Sequence, residues 1–205
     1  HHTKAGVMSI NFDGQWHVQT AVGEFSAPIL VNAAGAWADQ IAGLAGVSPL
    51  GVQPYRRSVA LLPAPGGRDI SNWPMLQSAT EAWYAKPDAG KWLVSSAEED
   101  PVAPMDAWAD DMVLAEGLAR YQEFVTEEVT RVEGNWAGLR SFAPDRTPVV
   151  GFDRSAKGFF WLAGQGGYGV QTSPALSALA ADMIMGRAPD FGTEIIAGLS
   201  PARDM

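Results

Sequence analysis

Between an apolar run and an apolar helical stretch, residues 159–184 read FFWLAGQGGYGVQTSPALSALAADMI and carry Gly164, Gly166 and Gly169 as Gly-x-Gly-x-x-Gly. After a strand, that spacing lets backbone N–H groups at a helix N-terminus grip a dinucleotide pyrophosphate. A complete fingerprint also needs a following strand with an acidic residue about 20 positions on, to hold the ribose hydroxyls. Here the chain runs on through GRAPDFGTEIIAGLSPARDM, with little room for a βαβ unit. The loop therefore touches something other than a pyrophosphate, or is only a tight turn.

Arg57 and Arg140 sit in the apolar, strand-like stretches YRRSVALL and WAGLRSF. A guanidinium among apolar neighbours must be paired or face a cleft, because an unpaired buried charge costs several kcal/mol. Taken singly, either arginine is explained by a structural carboxylate or by reaching the surface. Taken together, two planar forks suit a small-acid substrate. Tyr84, Met75 and the tryptophans read as packing residues by default. His17, beside Trp16, reads as structural or exposed, and Glu98-Glu99-Asp100 reads as a solvated turn before Pro101. With one histidine outside the opening His1-His2, which resembles the end of a purification tag, no His-based triad or zinc cluster can be assembled. No metal site is expected.

The elements that must position these residues follow from patterning. The chain has 205 residues, 47% of them hydrophobic, enough for one large domain or parts of two. A net charge of −9 without a dense Lys/Arg run argues against nucleic acid. The absence of cysteine removes disulfides, thiolate metal sites and a cysteine nucleophile. No apolar run reaches the roughly 20 residues of a membrane span.

Alternation on both sides of Asp13-Gly14 predicts a two-stranded hairpin. APILVNAAGAWADQIAGLAG predicts strand, turn and helix with close backbone approach at Ala33-Ala34-Gly35. Short β-rich runs between about 51 and 104 predict a mostly antiparallel sheet. A surface helix is expected within 106–131, its stripe formed by Trp108, Met112, Ala115, Leu118, Ala119 and the run 121–125. Strand character returns in RVEGNWAGLRSFAPDRTPVVGF and GFFWLA. A last helix then has Ser173 as N-cap, Pro174 at its first position and Gly186 past its end. The fold class is α+β or α/β, in which the closing pieces of a nucleotide-binding domain flank an inserted β-rich domain.

The segments VNAAGAWADQIAGLAGVSPLGVQPYRRS, NWPMLQS, WYAKPDAG, WAGLRSF and WLAGQGGYGVQTSPAL, in this order, resemble the D-amino-acid oxidase-type flavoenzymes, and among them the D-arginine dehydrogenase branch. The resemblance runs from about residue 15 to the end and implies FAD as cofactor. It implies parts of a Rossmann-like FAD domain at 3–50 and 143–205, and an antiparallel substrate domain at 51–142. The family's N-terminal fingerprint has no counterpart here, so the chain reads as a C-terminal portion.

By the same resemblance Arg57 and Arg140 bind the substrate α-carboxylate, Tyr84 and Met75 line the pocket, and the Gly167 carbonyl meets the substrate amine. Gln77 departs from the branch, which has a small apolar residue there. Ala34, Gly35, Gly166, Gly167, Tyr168, Gly169, Val170 and Gln171 fall at the flavin, with Gln171 also ordering water. No residue is assigned as a catalytic base. The implied reaction is oxidative deamination of a D-amino acid to an imino acid, which hydrolyses to a 2-oxo acid and ammonia. Glycine or sarcosine-type amine oxidation, or an inert fragment, are the alternatives. The electron acceptor is unassigned, and the expected location is cytoplasmic, at the membrane only through that acceptor. Apolar surface along ILVNAAGAW and GFFWLA is expected to be uncovered, with self-association as the consequence.

Overall fold

The alternating residues around Asp13-Gly14 form strands β1 (Val7–Phe12) and β2 (Trp16–Thr20), antiparallel with Phe12 opposite Trp16. The expected two-stranded unit has a third member, β3 (Gly23–Ala27), antiparallel to β2. Its turn is marked by Gly23 at φ 140°, with the Thr20 hydroxyl donating to the Gly23 carbonyl at 2.7 Å. Strand β4 (Leu30–Asn32) leads through Ala33-Ala34 into a 3-10 turn (Gly35–Trp37) and helix α1 (Ala38–Leu44). The computed structural model describes residues 1–205. Its chain separates into two compact units, one of residues 1–54 and 140–205, the other of residues 55–139.

The second unit is built on an antiparallel ladder. Strand β5 (Gln53–Leu62) enters it, followed by β6 (Leu76–Gln77), β7 (Tyr84–Asp88), β8 (Lys91–Ser95) and β9 (Asp100–Pro101). Helix α2 spans Asp111–Gln122, and β10 (Gly134–Phe142) leaves the unit at Leu139. The strand order is β10-β5-β8-β7-β6, with β9 also on β5. Alternate residues Ala60, Leu62, Trp92, Val94 and Ala85 bury one face against Leu114 and Tyr121 of α2.

Helix α2 is shorter than the pattern over 106–131 suggests. Asp110 supplies the cap, its Oδ1 accepting from Met112 N at 3.0 Å and Val113 N at 3.1 Å. Trp108 and Met112, expected in the apolar stripe, are exposed, and Gly117 takes a buried place instead. Hydrophobic periodicity overestimates a helix when its flanks are apolar for other reasons.

In the first unit the chain closes with β11 (Val149–Phe152), β12 (Phe159–Ala163), α3 (Gly169–Ile184) and α4 (Thr193–Leu199). Strand β12 lies between β11, antiparallel, and β4, parallel. Its side chains alternate between two cores. Phe159, Trp161 and Ala163 join Ile10, Trp16, Ala38 and Ala42, whereas Phe160 joins Val150, Leu176 and Leu179. A strand covered on both faces reads as a continuous apolar run, which accounts for FFWLA. Phe159, Phe160 and Trp161 are thus fully buried, contrary to the expectation that GFFWLA is uncovered, while Val31 and Trp37 are exposed.

Helix α3 begins at Gly169, four residues before the expected Ser173 cap, and Pro174 lies inside it. Proline at that position has no N–H for the Val170 carbonyl, and the Ser173 hydroxyl donates to that carbonyl instead, at 3.0 Å. The Thr172 hydroxyl similarly donates to the Tyr168 carbonyl at 2.8 Å. Gly186, at φ 67°, lies just past the helix end, as its position in the sequence suggests.

Candidate functional site

In the first unit, the parallel pair β4 and β12 delivers two loops from adjacent carboxyl ends. One is Ala33-Ala34-Gly35; the other is Gly164 to Tyr168, which passes directly into α3. Ligands of α/β sheets bind outside the carboxyl ends of parallel strands. The first turn of α3 has no acidic residue and its N-terminus no side-chain cap, so its leading N–H groups and partial positive charge are not neutralised locally. Gly167, Tyr168, Val170 and Gln171 are exposed here.

The glycines of this loop have identifiable reasons. Gly166 has φ 54°, and its N–H donates to the Ser141 carbonyl at 2.9 Å. A Cβ there would stand 2.1 Å from Phe142 Cε1. The need for glycine at 166 is therefore set by the Phe142 ring. At Gly167 a Cβ would meet the Arg140 guanidinium, with Nη1 at 3.1 Å and Cζ at 3.2 Å. Arg140 thus lies flat against the loop that carries the Gly167 carbonyl. The Arg146 guanidinium stacks over the Phe142 ring, 3.9 Å from its centroid.

In the second unit, pairing of Gln77 with Tyr84, Tyr84 with Ser95, and Ser95 with Val59 places these residues on one sheet face. Arg57, two residues before Val59, shares that face. Met75, just outside β6, is 53% exposed, and Gln77 is exposed. Arg57, Tyr84 and Gln77 therefore belong to the face opposite the α2 core. Arg140 and all the loop residues belong to the first unit.

The acidic run differs most from its expectation as a solvated turn. Glu98 Oε1 accepts from Ser58 N at 2.5 Å and Oε2 from the Ser96 hydroxyl at 2.5 Å. Arg57 Nε donates to the Glu98 carbonyl at 2.7 Å and Nη2 to Glu99 Oε1 at 3.1 Å. Arg56 pairs with Asp100 at 3.4 Å. The signal was available in sequence as paired basic and acidic runs, RR and EED, but only the antiparallel register of β5 and β9 brings them together. His17 is held between Glu24 at 2.9 Å and Asp13 at 3.0 Å. The hydrogen bond to Glu24 is the largest cause of its raised pKa; partial burial opposes it and Asp13 adds to it.

Two structural carboxylates were not legible. Asp39 of α1 accepts from the backbone N–H groups of Leu50, Gly51 and Val52 at 2.8 to 3.1 Å, fixing the approach to β5. Asp145 holds Arg203 through both oxygens, at 2.7 and 2.9 Å. A cavity of about 320 Å³ in the second unit, between 62–67, Trp92, Tyr121 and 127–130, includes none of the candidate residues. Burial there raises the pKa of the Tyr121 hydroxyl. No helix is long and apolar enough to cross a membrane.

Residues 2–183 match the model of the FAD dependent oxidoreductase family. Glycine oxidase from Geobacillus kaustophilus is 29% identical over 187 residues, covering 87% of this chain and 46% of that protein. FAD-dependent oxidoreductase domain-containing protein 1 of Bos taurus is 30% identical over 173 residues, covering 77% of this chain and 35% of that protein. The crystal structure of the Geobacillus kaustophilus glycine oxidase superposes with a TM-score of 0.81 at 23% identity, covering 98% of this chain and 52% of that one. L-proline dehydrogenase from P. horikoshii gives 0.76 at 21% identity, with 96% and 53% covered. The chain spans about half the length, or less, of these relatives. Through a family match over most of its residues, this chain belongs to the FAD dependent oxidoreductase family.

Proposed function

We propose that the protein carrying this chain oxidises a small amino acid with FAD, with D-amino acids as the substrate class, releasing an imino acid that hydrolyses to a 2-oxo acid and ammonia. The observation that carries this reading is the Arg140 guanidinium packed on Gly167, within 3.1 to 3.4 Å of a Cβ position, beside the uncapped start of α3. A fixed guanidinium next to a backbone carbonyl is suited to a molecule bearing a carboxylate and an amine on one carbon.

The residues present fit a flavin. Two loops at the carboxyl ends of parallel strands, glycine at 35, 167 and 169, and a helix start with no acid and no side-chain cap leave backbone N–H groups for an electron-rich ring. Ala34, Gly35 and residues 166–171 would hold it, all of them in the first unit. When bound, FAD supplies the acceptor for the hydride on the substrate α-carbon. Arg140 would fix the carboxylate and the Gly167 carbonyl would accept from the amine, and Arg57 is the carboxylate-binding candidate of the second unit. Tyr84, Met75 and Gln77 would border the side chain. The positive end of α3 would stabilise negative charge on the reduced ring. No residue of this chain is assigned to proton abstraction.

A second reading, oxidation of glycine or a secondary amine such as sarcosine, is favoured by the likeness to glycine oxidase. One experiment separates them: the full-length, FAD-loaded protein is assayed against D-amino acids, glycine and sarcosine, with an artificial electron acceptor and, in parallel, by peroxide release. Turnover of D-amino acids with the acceptor supports the first reading. Glycine or sarcosine turnover with stoichiometric peroxide supports the second. No turnover of any of them rejects both.

A further inference from the structure

We propose that Glu99 is a specificity-determining residue: a resident carboxylate that occupies the Arg57 guanidinium and that an incoming anionic group must displace or share. The proposal rests on the reading of Arg57 as a carboxylate-binding residue.

The contact arises from strand register. Tyr55 pairs with Pro101 and Arg56 with Asp100, so the same ladder, continued by one step, sets Arg57 opposite Glu99. Between Val59–Ser95 and Arg56–Asp100, β5 advances three residues while its partner advances five. The two extra residues are taken up in the 96–99 turn, where Ala97, although not a glycine, has φ 53°. A residue in that region persists only where its surroundings over-determine it, and such strain concentrates at functional positions.

Here the surroundings do over-determine it. The Ser95 hydroxyl donates to the Ser58 carbonyl at 3.0 Å and accepts from Ala97 N at 3.2 Å. The Glu98 carboxylate is held at 2.5 Å by Ser58 N and by the Ser96 hydroxyl, and Arg120 donates to the Ser96 carbonyl at 3.1 Å. Gly117 of α2 allows the backbone of Ser96 to lie where a Cβ would be, 2.6 Å from the Ser96 Cα.

This network presents the Glu98 carbonyl and the Glu99 carboxylate to one edge of Arg57, made of Nε and Nη2. That is one of the edges through which a guanidinium grips a carboxylate with two parallel bonds. The Arg57 side chain is 11% exposed and that of Glu99 40%. Of the two neighbouring carboxylates, Glu98 is held by the turn through both oxygens, while Glu99 is the more exposed and faces Arg57 directly. A partly exposed ion pair is weak, so a substrate carboxylate can displace it. The competition lowers the affinity of the site for simple anions.

The test is calorimetric titration of acetate into the FAD-loaded, full-length protein carrying this chain. Glu99→Gln keeps the size and removes the charge, and is expected to bind acetate about 2 to 5-fold more tightly than wild type. Arg57→Met is expected to weaken binding by at least about tenfold, and adding Glu99→Gln to it should change nothing further. If Glu99→Gln folds poorly, Glu99→Ala carries the same test. Unchanged or weaker acetate binding in the Glu99 variant, with Arg57→Met impaired, would overturn the role of Glu99 and leave Arg57 standing. Binding unaffected by Arg57→Met would overturn both.

Discussion

The Arg140 guanidinium rests on the α-carbon of Gly167, so close that a Cβ at 167 would come within 3.1 Å of Nη1 and 3.4 Å of Nε. The neighbour that would have to yield is the far end of a flexible side chain, so Gly167→Ala should fold nearly as well as wild type. The displaced fork should nevertheless cost about tenfold in kcat/KM for the amino-acid substrate. Arg140→Met removes the fork altogether and should cost about 2–5 kcal/mol of transition-state stabilisation. Steady-state kinetics and melting curves of both variants check this; normal kcat/KM in Arg140→Met would remove Arg140 from the site.

Gly166→Ala should behave in the opposite way, losing stability first. The added Cβ would lie 2.1 Å from Phe142 Cε1 and 2.6 Å from Cδ1 and Cζ, with the backbone at φ 54°. Overpacking and left-handed strain together predict a loss of about 2–4 kcal/mol. Phe142→Ala in the same chain should return the steric part but not the strain. Denaturant unfolding of the single and double variants would show it, and full additivity of the two changes would exclude the clash as the cause.

These two glycines also mark how far the sequence could be read. The Gly-x-Gly-x-x-Gly spacing announced a loop under backbone constraint, and the fold supplies that constraint through Phe142 and Arg140, residues more than 20 positions earlier. Such contacts are set by tertiary placement and leave no local signature. The hairpin at Asp13-Gly14 and the strand–turn–helix at 30–44 were legible because turn chemistry and periodicity are local. Ser-Pro is a good helix opening and points to a later start for α3, and nothing local reveals that Ser173 satisfies the carbonyl that Pro174 leaves unpaired. Glu98 and Glu99 escaped for a related reason. A charge run reads as solvated until strand register places arginines and backbone N–H groups opposite it.

Gln77 tests the second unit. It pairs with Tyr84 on the sheet face that carries Arg57, and it is exposed. In the proposed role beside the substrate side chain, a polar amide should favour hydrogen-bonding substrates over apolar ones by about 1–2 kcal/mol relative to Gln77→Val. A panel of D-amino acids compared in the two forms reads this out. The same rank order in both would take Gln77 out of the specificity argument.

His17 should titrate above the ordinary imidazole range. The hydrogen bond to Glu24 is the main cause, partial burial works against it, and Asp13 adds to the increase. A folded pKa above the unfolded one means the contribution to stability is fully present below the unfolded pKa and disappears as pH rises through the folded value. Ring-proton NMR titration should show the raised midpoint in wild type and a lower one in Glu24→Gln. Equal midpoints would mean the Glu24 contact is not formed in solution.

Asp145 and Arg203 supply a test of opposite sign. Arg203 Nε and Nη2 donate to the two Asp145 oxygens at 2.7 and 2.9 Å, and Nη2 also reaches the Thr147 carbonyl at 2.8 Å. The Arg203 side chain is 10% exposed and that of Asp145 28%, so solvent screens the pair only in part. The hydrogen bonds from Arg203 are the largest cause that holds the Asp145 carboxyl below the usual aspartate range; desolvation opposes them, and the Thr147 N–H assists. Because the folded pKa is depressed, the stabilisation is complete above the unfolded aspartate value of about 3.9 and is lost as pH falls through the lower folded value. Asp145→Asn should therefore destabilise the chain by about 1–3 kcal/mol at neutral pH, the scale of a charged hydrogen bond. The deficit should shrink as pH is lowered below about 4, where wild type protonates the same group. Urea unfolding of both forms at neutral and acidic pH measures the difference directly. A deficit that stays constant down to acid pH would show that Asp145 acts through shape and neutral hydrogen bonding alone, without a contribution from its charge on Arg203.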